Sequence, residues 1–137
     1  MDGEAPLALG AKVALAVEVA ASFARSRSSL RRRGLPATLA ALRAVGPNGG
    51  PPPDDPVATG RRLGRAVSRT LAVLPGDRRC LSQSLVLIRL LAARGVDSKL
   101  VIGVRPGERF AAHAWVEHAG KPLLPPGGEH FDELVAL

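Results

Sequence analysis

At 137 residues the chain can form one compact domain, or a small domain with an arm, but not two full domains. Apolar residues make up 46% and charged residues 23%, which excludes wholesale disorder, and a single cysteine excludes both a disulfide framework and a multi-cysteine zinc site. Nineteen Lys+Arg against twelve Asp+Glu leave a net charge of +7, yet aromatics amount to 3%, which argues against a base-stacking surface for single-stranded nucleic acid. The positive balance suits an acidic protein segment, anionic lipid or nucleic acid, and the Arg-, Ala-, Gly- and Pro-rich usage also fits a GC-rich coding background.

The stretch from Leu7 to Ala24 is apolar, but Asp2 and Glu4 precede it and Lys12 and Glu18 interrupt it. It therefore predicts an amphipathic helix in a cytoplasmic protein, neither an export signal nor a membrane span. Leu9, Val13, Val17, Ala20 and Ala24 recur at helical spacing and are expected to form its inner face. The basic run from Arg25 to Arg33 suits a helix C-terminus closed by Gly34, and Pro36 suits the first turn of a second short helix with Leu35, Leu39 and Leu42 inward. The Pro- and Gly-rich stretch 47–56 reads as a loop or linker. It divides an N-terminal helical region, 1–46, from a core at 57–137.

Val57 to Leu74 is periodic again, with Leu63, Val67, Leu71 and Leu74 on one face and Arg61, Arg62, Arg65 and Arg69 elsewhere. After Pro75-Gly76-Asp77, the segment Cys80 to Arg94 predicts a helix with Leu81, Leu85, Ile88 and Leu91 inward and Gly95 as its stop. Two strands follow at Leu100–Val104 and Phe110–Glu117, and Ala119-Gly120 fits a two-residue turn into Lys121–Leu124. Helices followed by antiparallel strands give an α+β fold.

Cys80 stands at the start of a long apolar helix, where unsatisfied backbone N–H groups, the helix dipole, Arg78 and Arg79 favour a thiolate. A free cysteine is as often a small buried apolar side chain. His113 lies in a strand whose alternation puts Ala111, His113, Trp115 and Glu117 on one face, and its alanine neighbours leave room beside the ring. A cysteine at a helix start and a histidine on a following strand are the arrangement a thiol–imidazole pair requires. Trp115 is a candidate to shield that pair or to floor a substrate pocket, and equally suits the core. Gln83 is expected on the helix surface, not in an oxyanion hole. His118 and His130 lack partners at metal spacing, so no metal is expected, and no phosphate-binding glycine pattern or other cofactor motif occurs.

Three segments, Arg79-Cys80-Leu-Ser-Gln-Ser-Leu85, Leu100–Val104 and Ala112-His-Ala-Trp-Val-Glu117, resemble the leader peptidases of lasso-peptide biosynthesis. These are transglutaminase-like cysteine peptidases, and the resemblance runs from Val57 to Leu137, more loosely over the N-terminal helices. It implies a papain- or transglutaminase-like core, with the cysteine-bearing helix packed on a small antiparallel sheet. It also implies removal of the leader from a precursor peptide before an ATP-dependent macrolactam cyclase acts. Cys80 would be the nucleophile and His113 the general base and acid. No stretch resembles the leader-recognition domain, which implies a stand-alone peptidase working with a separate leader-recognition protein. The family's acidic third member has no evident counterpart. If Ala119-Gly120 is a two-residue turn, Glu117 pairs with Pro122, Trp115 with Leu124 and His113 with Pro126. Glu117 is then about 13 Å along the strand from His113, leaving Glu129, or Asp132, as acidic groups able to fold back. Two further functions are consistent with the residues: acyl transfer to an amine, and a non-enzymatic basic scaffold or nucleic-acid-binding role.

Overall fold

The computed structural model describes residues 9–47, 51–72, 79–105, 111–124 and 132–137. Among the described residues four helices precede a small sheet: α1 (Leu9–Arg33), α2 (Leu35–Arg43), α3 (Pro56–Leu71) and α4 (Arg79–Ala92), then β1 (Lys99–Arg105), β2 (Ala111–His118), β3 (Lys121–Pro122) and β4 (Asp132–Ala136). The strands form one antiparallel sheet in the order β3-β2-β1-β4. The fold is α+β.

α4 is the centre of the molecule. Leu85, Val86, Leu87, Ile88, Leu90 and Leu91 are all buried, so this helix has a burial surface on every side where the sequence suggested one inward face. α1, α2 and α3 pack around it, and β1 and β2 also contact it. Val19 of α1 and Leu39 and Leu42 of α2 join the same core as Trp115 and Val116 of β2. The N-terminal helices therefore share a hydrophobic interior with the sheet.

The face of α1 is a correction. Leu9, Val13 and Val17 are 78%, 56% and 63% exposed, and Ala20 and Ala24 are exposed as well. The inward stripe is Leu15, Val19, Ser22, Phe23, Ser26 and Leu30. Serine is tolerated there because each hydroxyl is satisfied: Ser26 Oγ donates to the Phe23 carbonyl at 3.0 Å, and Ser22 Oγ accepts from Arg89 Nη1 at 2.9 Å. Small side chains also let α1 lie close to α4. Outside that stripe, Glu18 holds Arg94, in the turn after α4, through both carboxylate oxygens, at 2.8 and 3.1 Å.

The helix ends follow local chemistry. Gly34 alone joins α1 to α2, with φ at +80°, a conformation that favours glycine. Pro36 lies in the first turn of α2 as expected. Pro56 belongs to α3 and not to the preceding loop: it opens the helix, and the Asp55 carboxylate caps it by accepting from the Ala58 N–H at 3.1 Å. Asp55→Ala is expected to cost about 1 kcal/mol, read as a lower urea midpoint with an unchanged slope. α3 ends at Leu71, and Leu74 lies outside the described residues. Gly95, at φ +75°, closes α4, with the Val96 N–H on the Leu91 carbonyl and the Gly95 N–H on the Ala92 carbonyl.

Ala119 (φ +51°) and Gly120 (φ +77°) form the expected two-residue turn, and Glu117 pairs with Pro122 as that turn requires. The ladder ends sooner than the sequence suggested, and Trp115 does not pair with Leu124. After the Leu123 N–H bonds the Val116 carbonyl at 2.7 Å, Leu123 and Leu124 turn onto Gly60 and Gly64 of α3. β4 is a strand the sequence reading did not anticipate. It pairs with β1 through a bulge that sets Ile102 against Val135 and Gly103 against Glu133, with Leu134 as the extra residue. Among the described residues no helix is long and apolar enough to cross a membrane.

Candidate active site

Cys80 is the second residue of α4, in the turn whose backbone N–H groups have no partner within the helix. No acidic side chain occupies that turn. The residue is half-buried and packs against the core, and its carbonyl accepts from Ser84 Oγ at 2.7 Å. Three residues on, Gln83 Oε1 accepts from Ser68 Oγ of α3 at 3.4 Å. Gln83 therefore ties the start of α4 to α3, a role between helices and not the surface role expected from sequence.

His113 is half-buried on β2, opposite Gly103 of β1. Its ring lies over that of Trp115, with centroids 6.0 Å apart and planes inclined by 24°. Trp115 is 6% exposed and belongs to the core, which confirms the packing half of its expected role. Its indole N–H donates to Glu117 Oε2 at 2.7 Å. The Glu117 carboxylate is thus committed to holding the tryptophan that flanks the histidine. Glu117→Ala would leave the indole N–H without that acceptor at a cost of about 1–2 kcal/mol. Because Trp115 is the sole tryptophan, its emission reports the change directly, and an unshifted spectrum would contradict this role.

The path of the chain relates the two ends. α4 is about 21 Å long and β1 about 23 Å, so after the Gly95 turn β1 can return along the whole helix. His118 Nδ1, 2.6 Å from the Asp97 carbonyl, fixes the end of β2 beside the α4–β1 connection. Leu123, bonded to Val116 near the end of β2, would meet a side chain at Gly60 of α3, whereas Ser68, two turns later in α3, reaches Gln83 near the start of α4. A β1 strand that returns along α4 would carry His113, about 17 Å back along β2 from His118, toward the end where α4 begins with Cys80.

Of the acidic candidates, Glu129 lies outside the described residues, as do Pro125 and Pro126. Asp132 opens β4 opposite Val104. The sequence reading missed Glu133. Gly103 pairs with His113 on one side and with Glu133 on the other, so the two share a row about 10 Å apart across a residue with no side chain. A strand pattern at 132–136 would have revealed it, but the bulge at Leu134 breaks the alternation. Among the described residues no group of three or more His, Cys, Asp or Glu side chains could hold a metal ion.

The family model for the transglutaminase-like superfamily matches residues 13–136. The chain belongs to this superfamily. That match takes in α1 and α2 as well as the sheet, more of the chain than the motifs around Cys80 and His113. A stretch of 44 residues is 46% identical to the microcin J25-processing protein McjB of Escherichia coli. It covers 32% of this chain and 21% of that protein, so the chain matches about a fifth of the relative's length. No solved structure matches the chain.

Proposed function

We propose that the protein is a cysteine peptidase that removes the leader from a lasso-peptide precursor, with Cys80 as nucleophile and His113 as general base and acid. What supports this reading is the membership of the transglutaminase-like superfamily together with a cysteine in the first turn of α4 and a histidine near the start of β2. The local similarity to a microcin-processing protein supports a role in maturing a ribosomal peptide.

In the proposed reaction the imidazole of His113 takes the Cys80 thiol proton, and the thiolate attacks the carbonyl carbon of the scissile peptide bond. The backbone N–H of Cys80 donates to the resulting oxyanion. Collapse expels the amine of the core peptide, which receives the proton from the imidazolium, and leaves the leader as a thioester on Cys80. Water, deprotonated by His113, then hydrolyses the thioester. Trp115, anchored by Glu117, limits the imidazole's freedom on one side. The proposed assembly includes the precursor, a separate leader-recognition protein and the macrolactam cyclase that uses the freed amine, in the cytoplasm.

The test mixes the purified protein with a precursor peptide and a candidate recognition protein, and weighs the products. Two fragments whose masses sum to the precursor plus one water support hydrolysis. A product joined to an added amine would instead assign the protein to amine-accepting acyl transfer. An unchanged precursor under every combination would refute the peptidase reading.

A further inference from the structure

A concave feature lies on the helical side of the molecule. Between the C-terminal half of α1 and the end of α2 is a cavity of about 440 Å³, rimmed by Arg25, Arg32 and Arg33 of α1 and by Arg89 of α4, with Leu42 of α2 and Val45 of the turn that follows it among its apolar lining. None of the described residues that line it is acidic. Arg25, Arg32 and Arg33 are exposed and form no ion pair with a described residue. Arg89 is half-buried, and its guanidinium is held by a neutral hydroxyl, Ser22 Oγ, at 2.9 Å. Burial pushes its pKa down and the neighbouring positive charge of Arg25 pushes it further, while Glu18 opposes both. Glu18 in turn is engaged by Arg94 through both oxygens.

Positive charge gathered in a concavity repels itself, and a ligand carboxylate there would relieve that repulsion while pairing with guanidinium forks. The lining discriminates among anions. Leu42 is buried, Val45 is 37% exposed, and among the described residues no aromatic side chain faces the cavity. An apolar floor has nothing to offer a free phosphate, and the lack of rings gives nucleic-acid bases nothing to stack on. An amphipathic acidic peptide fits both parts: carboxylates meet the arginine rim while an apolar side chain rests on Leu42 and Val45.

We propose that this groove is a docking site for an acidic peptide segment carrying an apolar anchor residue. The proposal is independent of the cysteine chemistry. Arg89 lies nine residues beyond Cys80 on α4, about 13 Å along the helix axis, so occupancy of the groove leaves the start of α4 open.

The experiment measures fluorescence anisotropy of a fluorescein-labelled peptide of repeated Glu-Leu-Glu-Glu units with the full chain at low salt. The expected result is saturable binding. It weakens at least about tenfold in R25E/R32E but less than about threefold in R27E/R31E, which makes the same charge change on other exposed positions of α1. Replacing each Leu of the probe by Ser is expected to cost roughly another tenfold, the worth of a partly buried apolar side chain. The exposed V45N change tests the floor from the protein side, and circular dichroism verifies the helices in each variant. Equal losses in the two arginine pairs would reduce the effect to net charge and overturn the site. So would failure of the peptide to bind, or a duplex DNA that binds more tightly than the peptide and depends on the same arginines. Leader cleavage is read separately as product mass, so failure here and failure of the peptidase reading are distinguishable.

Discussion

Cys80→Ala is expected to abolish leader removal, with a rate loss of roughly 10⁴-fold or more, while the precursor and its recognition protein still bind. No other thiol exists in the chain, so nothing can replace the sulfur as nucleophile. The fold should tolerate the change, because Cys80 is only half-buried and alanine keeps the helical backbone. His113→Ala is expected to lose about 10³-fold, less than the cysteine variant, because a positioned thiol retains some reactivity without its base. Alkylation separates the roles: iodoacetamide should label wild-type Cys80 at neutral pH faster than it labels the His113→Ala protein. Equal labelling would show that the imidazole does not act on the thiol. Cleavage that survives in Cys80→Ala would remove the nucleophile from the proposal altogether.

The elements legible in the sequence were those fixed by local chemistry. Gly34, Pro36 and Gly95 terminate or start helices through backbone restrictions that no distant contact has to enforce. The Ala119-Gly120 turn set the β2–β3 register at Glu117 and Pro122 for the same reason. α1 was harder, since an Ala- and Val-rich helix has two stripes at the right spacing. Packing against α4 selected the one containing Ser22 and Ser26, whose hydroxyls find partners visible only in three dimensions. β4 escaped because an edge strand with a bulge loses the alternation that identifies strands. At the candidate site, Cys80 and His113 stood out by residue type and context. The partners of Trp115 and Gln83 did not, because Glu117 and Ser68 reach them through side-chain bonds that spacing alone does not announce.

Gly64→Leu is expected to destabilise the protein by about 3 kcal/mol, lowering the melting midpoint by about 10 °C. A glycine inside a helix costs about 1 kcal/mol relative to alanine, and α3 carries two, Gly60 and Gly64, one turn apart on the buried face. Their use lies in what rests against them. A Cβ on Gly64 would stand 2.9 Å from the backbone carbonyl oxygen of Leu123 and 3.2 Å from a Leu124 methyl, so the chain leaving β3 would have to move. A Cβ on Gly60 would meet Leu123 at 2.6 Å, but there the obstacle is the tip of a side chain that can rotate away. Gly60→Ala should therefore remain within about 1 kcal/mol of wild type, its clash offset by the gain in helix propensity. Displacing the Leu123–Leu124 segment would strain the β2–β3 hairpin on which Glu117 holds Trp115 beside His113, so Gly64→Leu should also shift the tryptophan emission. Equal costs at the two glycines would mean that the backbone approach at Gly64 is not what keeps α3 against the sheet.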